Sequence, residues 1–214
     1  MNTTQIWITV VIGIAAYFFG GLSPALLISR TVTGKDIRET GSGNAGATNV
    51  MRSIGVKAGL LTFLLDVLKG VIPTLVALLV MGRHTLNGAL VPYAAYFAGF
   101  MVILGHTFPM LLGFRGGKGV ATSLGMFFVL QPLATLVMLL FALSIMFATG
   151  YVSLGSVVSL ALTPLCGFLI PAIGWHFGIY ALLVASLVLW KHRENIIRLI
   201  NGTENKIDPK KLKK

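Results

Sequence analysis

At 214 residues, 56% apolar and only 11% charged, with a mean hydropathy of +0.87, the chain is too poor in charge for a soluble domain, which is nearer a quarter charged. Lipid is therefore the solvent for most of its surface, and one membrane domain is the simplest reading. Seventeen Lys and Arg oppose six acids (Asp36, Glu39, Asp66, Glu194, Glu204 and Asp208), giving +11; because the cations sit in loops between apolar runs, they favour anionic lipid or an anionic substrate and disfavour nucleic acid.

The first apolar run covers 5–29, and no Lys or Arg precedes Arg30. A signal peptide has a basic start and a short apolar core, so this run is read as a retained helix. Residues 30–57 follow with Arg30, Lys35, Arg38, Arg52 and Lys57, and then a second run, 56–82, that carries Asp66 and Lys69. The short loop 83–88 holds only Arg83 before the third run, 89–112. Residues 113–119 hold Arg115 and Lys118, and 120–149 is an apolar stretch interrupted by Gln131-Pro132. Runs at 154–172 and 173–190 complete the set; the first contains Cys166, the sole cysteine, so no internal disulfide forms and no cysteine cluster offers a metal site. Beyond 190 the chain carries eight Lys and Arg, ending in a lysine-rich tail over 207–214 that is set apart from a membrane domain over 1–206.

Positive charge marks the cytoplasmic side. That rule places 30–57, 113–119 and the tail inside and the N-terminus outside. A single crossing by 120–149 would put the basic tail outside, so the segment is expected to cross twice, making about seven transmembrane helices in an all-α polytopic protein. Residues 120–131 would make only about 18 Å of helix against roughly 30 Å of hydrocarbon, so this pair is short, tilted or partly re-entrant.

Three polar constellations interrupt the apolar sequence. The first is Gly41-Ser42-Gly43-Asn44-Ala45-Gly46-Ala47-Thr48-Asn49, followed by Arg52. Its glycines free the backbone to aim successive N–H groups at one anion. Ser42, Asn44, Thr48 and Asn49 add neutral donors, and Arg52 adds a fork suited to phosphate. The letters match GxGxxG, but no strand precedes them, so a dinucleotide fold is not implied. The plainer alternative is a glycine-rich turn capping the next helix. The second constellation is Gly105-His106-Thr107-Phe108-Pro109 with Phe114-Arg115-Gly116-Gly117-Lys118-Gly119. It is no Walker A loop, because Leu112 stands where the first glycine belongs and Gly119 follows the lysine; the alternative is an ordinary basic loop. The third is Trp190-Lys191-His192-Arg193-Glu194-Asn195 with Arg198 and Gly202-Thr203-Glu204. On a continuing helix His192 and Asn195 share a face, while Lys191 and Trp190 read as an interfacial belt. All three lie on the side assigned to the cytoplasm, where Arg52, Arg115, Lys118 and His192 are expected to converge on a phosphate-bearing ligand. Asp66 and Lys69, three apart within a span, read as a structural pair.

These blocks, GSGNAGATNVMRSIG, GHTFPMLLGFRGGKGVAT and WKHRENIIRLINGTENK, together with Asp66-Val67-Leu68-Lys69-Gly70, resemble the bacterial membrane acyl-phosphate:glycerol-3-phosphate acyltransferases. The resemblance runs in order from residue 30 to about 206. It implies a seven-helix enzyme of the inner (plasma) membrane, with its active site facing the cytoplasm, performing the first acylation step of phospholipid biosynthesis. A fatty acyl group would pass from acyl phosphate to the 1-hydroxyl of glycerol 3-phosphate, giving lysophosphatidic acid and phosphate, with no cofactor and no metal. The soluble enzyme that makes acyl phosphate is the implied partner. The catalytic residues implied are Ser42, Arg52, Lys118, His192 and Asn195. Gly41, Gly43, Asn44, Thr48, Asn49, His106, Arg115, Gly116 and Gly117 are expected to bind substrate or phosphate.

The residue inventory fits that chemistry. Five positions after the four histidines stand Ala89, Leu111, Ala181 and Ile197, so the HxxxxD acyltransferase dyad is absent. An acyl phosphate is already an activated anhydride and needs no covalent acyl-enzyme. Positioning and charge neutralisation remain, with either a leaving-phosphate oxygen or His192 as the base. A phosphate-ester transporter would also want cations near broken helices, and uptake without product formation would mark it; a scaffold would depend on the tail alone.

Overall fold

The computed structural model describes residues 2–86 and 89–206, so the expected tail over 207–214 lies outside the described residues. These residues are helical almost throughout and fall into two compact units that divide between Leu130 and Gln131.

In the first unit the apolar run expected as one helix over 5–29 is two: α1 (Thr3–Gly21) and α2 (Pro24–Thr33). A residue before proline is pushed out of the helical region, and Ser23 takes φ −107°, ψ 98°. Its hydroxyl accepts from Leu26 N at 3.3 Å, while Pro24 occupies the first helical turn, where its missing N–H needs no partner. A short helix, α3 (Ala47–Ser53), leads to α4 (Val56–Met81). The run expected to begin at 89 opens as a strand. β1 (His84–Leu86) pairs antiparallel with β2 (Ala89–Val91), with His84 opposite Val91. Only then does α5 (Tyr93–Thr107) start, and a 3₁₀ turn, Met110–Leu112, replaces its expected last turn. α6 (Val120–Leu130) closes the unit.

The second unit holds α7 (Pro132–Thr149), α8 (Val152–Leu169), α9 (Trp175–Lys191) and α10 (Arg193–Ile200). Residues 120–149 thus contain two helices that part at Gln131, with Pro132 at the head of α7. Among the described residues, five stretches are long and apolar enough to cross a membrane: Thr3–Thr33, Val56–Met81, Tyr93–Leu112, Pro132–Thr149 and Val152–Leu169. Val120–Leu130 and Trp175–Lys191 are apolar but shorter. Large apolar side chains such as Leu79 (74% exposed) and Phe147 (86%) point outward, as a lipid solvent requires.

Without water between them, membrane helices associate by close packing of small residues. The first unit does this with two reciprocal glycine pairs. Gly20 of α1 lies against the backbone of Val102 on α5, and Gly105 of α5 lies against Tyr17 O on α1. Likewise Gly70 of α4 meets Thr122 O on α6, and Gly125 of α6 meets Val67 O on α4. At each, a β-carbon would overlap the facing carbonyl. In the second unit Gly155 of α8 packs on Ala142 O of α7, and Gly167 of α8 packs on Gly178 of α9. The glycine contacts of α4 and α6 set where residues 105–119 emerge, because α6 begins one residue after that loop. Gly125→Val is expected to force α4 and α6 apart and cost about 1–3 kcal/mol, read as a lower thermal midpoint in detergent; an unchanged midpoint would refute the close-packing account.

Candidate active site

The first glycine loop is folded around one side chain. Asn49, 2% exposed, donates from Nδ2 to Ile37 O (3.1 Å), Thr40 O (3.0 Å) and Asn44 O (3.1 Å). Its Oδ1 accepts from Ser42 N at 3.0 Å and from Ser53 Oγ at 3.4 Å. Asn49, expected as a donor to substrate, is the clamp that closes the loop. Gly41 (φ +58°) and Gly43 (φ +69°) take left-handed turns on either side of Ser42, and at Gly41 a β-carbon would overlap Asn49 Oδ1. Gly41, Ser42 and Gly43 are exposed, Asn44 and Thr48 half-buried, and Arg52 is exposed in the last turn of α3.

A 3₁₀ turn, Ile37–Glu39, ties this loop down. Arg38 donates to Asp36 Oδ2 at 2.8 Å and to Leu112 O at 3.0 Å. Hydrogen bonds from the Arg38 side chain hold the Asp36 carboxyl down at about 2, against the opposing effect of burial, with Arg30 helping at 3.3 Å. Beneath lies a core of Ala25, Leu26, Ile28, Ile37, Ala45 and Val50.

The second loop comes to the first. His106 is 7% exposed at the end of α5, and Gly117 N donates to its carbonyl at 3.1 Å. The ring Nε2 lies directly under Gly117, and Ala45 O of the first loop lies close to the same face of that glycine. Tyr17 Oη donates to Phe108 O at 2.6 Å. Phe114 takes φ +60°, a turn unusual for a residue with a β-carbon; Arg115 is exposed, Gly116 and Lys118 half-buried and Gly117 buried. So the structure brings the first two constellations together as expected, with Ser42, Arg115 and Lys118 on neighbouring loops and Arg52 on α3 of the same unit.

The third constellation is built within the second unit. The helix expected to continue past Lys191 breaks at His192 (φ −97°, ψ 3°), which ends α9 and starts α10. Its Nδ1 lies 2.8 Å from Val188 O. A carbonyl only accepts, so the proton sits on Nδ1, and in the neutral ring Nε2 carries the lone pair. Asn195, 6% exposed, donates to Glu204 Oε1 at 2.7 Å, which also accepts from Ser153 Oγ of α8 at 3.0 Å. Arg198 Nε donates to Glu204 Oε2 at 2.7 Å. Glu204 therefore fixes the orientation of the Asn195 amide, with Nδ2 turned toward the carboxylate. Sequence reading left Glu204 as one letter of a block, because its contact with Ser153 spans 51 positions and no spacing announces it. Burial pushes the Glu204 carboxyl up, but the bonds from Arg198, Asn195 and Ser153 outweigh it and hold the carboxyl below its ordinary value.

The sequence and the fold both have counterparts. A family model described as glycerol-3-phosphate acyltransferase matches residues 10–202. The chain is 44% identical over 210 residues to a glycerol-3-phosphate acyltransferase of Clostridioides difficile (strain 630), covering 97% of this chain and 99% of the relative. It is 39% identical over 203 residues to one of Alkaliphilus metalliredigens (strain QYMF), covering 95% and 98%. Two crystal structures of PlsY (YgiH), an integral membrane glycerol 3-phosphate acyltransferase, also match. The glycerol 3-phosphate form gives a TM-score of 0.85 at 37% identity, covering 94% of this chain and 96% of that one. The lysophosphatidic acid form gives 0.83 at 35%, covering 95% and 97%.

Two predictions follow from the clamps. Asn49→Asp keeps the acceptor for Ser42 N but removes the donors to three carbonyls, and each buried group left unpaired costs about 1–3 kcal/mol. It is expected to destabilise the protein nearly as much as Asn49→Ala; a wild-type melting curve would remove the clamp role. Glu204 has a lowered folded-state pKa, so its stabilisation is complete above the usual glutamate range and is lost as pH falls through the lower folded value. Glu204→Gln should flatten that acid limb in a profile of thermal midpoint against pH, and persistence of the full limb would place its origin elsewhere.

Proposed function

Since the chain belongs to the glycerol-3-phosphate acyltransferase family, we propose that this membrane acyltransferase takes its acyl group from an acyl phosphate and places it on the 1-hydroxyl of glycerol 3-phosphate. The product is lysophosphatidic acid, the ligand of one of the matching crystal structures. The observation that carries the reading is the meeting of the two glycine loops, with Gly117 against Ala45 O and Arg38 bridging to Leu112 O. That meeting brings phosphate-binding residue types onto adjoining turns.

Arg52 and Lys118 hold the phosphate of glycerol 3-phosphate. Ser42, Asn195 and the amides of Gly41, Asn44, Thr48 and Gly116 position the two substrates, while Gly43 and Gly117, whose N–H groups donate to Thr40 O and His106 O, shape the two turns, and Arg115 adds positive potential. The 1-hydroxyl oxygen attacks the acyl carbonyl carbon. The bond from that carbon to the phosphate oxygen breaks, and the electron pair leaves with phosphate. The hydroxyl proton passes to a leaving-phosphate oxygen, with Nε2 of His192 as the alternative acceptor. No covalent acyl-enzyme forms, and the metal-free, cofactor-free inventory suffices because the anhydride supplies the driving force.

The charge distribution supports seven crossings by α1, α4, α5, α6, α7, α8 and α9, with the N-terminus outside and the loops at 30–57 and 113–119 in the cytoplasm of a bacterial cell. One catalytic membrane domain spans 1–206, and a soluble enzyme delivers the acyl phosphate to its inner-membrane face.

The reconstituted protein, given palmitoyl phosphate and glycerol 3-phosphate, is expected to release phosphate and form lysophosphatidic acid in equal amounts, and to form none from palmitoyl-CoA. Product from palmitoyl-CoA alone would overturn the donor assignment. Arg52→Ala removes a charge-assisted contact worth about 1.5–3 kcal/mol, so the KM for glycerol 3-phosphate should rise roughly 10- to 100-fold; unchanged kinetics would remove the phosphate clamp.

A further inference from the structure

Two charges inside α4 have no place in the phosphate clamp. Asp66 and Lys69 are 2% and 4% exposed, and Lys69 Nζ stands 2.8 Å from Asp66 Oδ1. Charges within a span are costly and usually mark function. A pair that only neutralised itself would stop there, and this one continues in both directions. Lys69 Nζ also donates to Leu22 O at 2.9 Å, holding the carbonyl exposed at the α1–α2 break. On the other side, His106 Nδ1 lies 3.5 Å from the same Asp66 oxygen. Neither contact to that oxygen has the alignment of a hydrogen bond.

From His106 the contacts run straight into the second glycine loop. Gly117 N donates to His106 O. The ring Nε2 edge lies so close under Gly117 that an added methyl group would overlap it, and Gly116 faces His106 O and Thr107 O. Lys118 comes next in the chain. A lysine has a flexible four-carbon stem, and a Gly-Gly backbone is soft. A flexible cation on a soft loop needs a rigid floor to meet a phosphate in one place, and a displacement of about 1 Å from a change far from the chemistry can cost about a hundredfold in rate.

We propose that Asp66, Lys69 and His106 form a buried strut that supports the Gly116–Gly117 turn and so aims Lys118 at the substrate phosphate. Asp66 fixes the His106 ring, the ring carries the turn, and Lys69 anchors Asp66 to the break at Leu22. None of the three touches substrate; they are positioning residues. The inference rests on Lys118 being a phosphate ligand, as proposed above.

The test is steady-state kinetics in lipid with palmitoyl phosphate and glycerol 3-phosphate, on protein whose folding is checked by its melting curve. His106→Leu and Asp66→Asn should each raise the KM for glycerol 3-phosphate at least about tenfold while leaving the KM for palmitoyl phosphate within about twofold. His106→Asn, whose amide nitrogen takes the place of Nδ1 toward Asp66, should recover most of that loss. Asp66→Asn combined with Lys118→Ala should lose no more than Lys118→Ala alone, because both act through one contact. Should Asp66→Asn not fold, His106→Leu against His106→Asn and the combination of His106→Leu with Lys118→Ala decide the matter. Losses that multiply in the double variant, or that spread equally over both substrates without rescue by Asn, would overturn the strut while leaving Lys118 as a ligand. An unchanged KM in Lys118→Ala itself would overturn the clamp, and the strut with it.

Discussion

Hydrocarbon offers a backbone N–H or C=O no partner, and an unpaired one costs several kcal/mol. A chain that breaks its helices inside or at the edge of a membrane must therefore seal each break from within. This protein seals its breaks with side chains, one carbonyl at a time. Leu22 O, at the α1–α2 break, takes Lys69 Nζ at 2.9 Å. Phe108 O, past the end of α5, takes Tyr17 Oη at 2.6 Å, and Leu112 O takes Arg38 at 3.0 Å. Gln131 O accepts from Thr135 Oγ1 at 2.7 Å, and Val188 O from His192 Nδ1 at 2.8 Å. Two of these donors, Lys69 and His192, belong to the sequence blocks that carry the family resemblance. The breaks are where polar backbone and cations gather, so the residues that seal them would also shape the proposed site.

That double duty explains what could be read from the sequence. Glycine, lysine, arginine and histidine stand out against an apolar background, so the three constellations were visible as letters, and the two glycine loops meet as expected. What a letter does not reveal is the direction in which its polar atoms point. Asn49 reads as a donor to phosphate, yet its amide is turned inward to Ile37, Thr40 and Asn44. The role of Glu204 depends on Ser153 and Asn195, which only the folded second unit brings to it.

The element boundaries failed for a different reason. Apolarity measures burial or lipid exposure, not backbone direction. Ser23-Pro24 is a helix-start signal, but it is submerged in a run whose hydropathy is continuous. Ala89-Leu90-Val91 is as apolar as the helix that follows, and a short apolar run cannot be told from a strand by periodicity. The break at His192 carries no glycine or proline to announce it. It is stabilised instead by the ring bonding back to Val188 O, which is a property of the folded turn.

The acids complete the electrostatic argument. A site that binds two phosphate-bearing substrates with Arg and Lys is weakened by any carboxylate left near it. The acids that the fold engages are each matched to a local cation. Asp36 is held by Arg38 at 2.8 Å and Arg30 at 3.3 Å, Asp66 by Lys69 at 2.8 Å, and Glu204 by Arg198 at 2.7 Å. Glu194 lies 3.8 Å from Arg193 on the exposed face of α10. Each of these pairs is close to electrically neutral at a distance, so the large positive excess of the chain falls to the remaining cations. A neutral pair costs the site little potential while still placing a hydrogen bond or a buried contact where the fold needs one. Pairing also gives these carboxylates structural work within their own units: Asp36 holds Arg38, which reaches Leu112 O, and Glu204 ties Asn195 and Arg198 to Ser153.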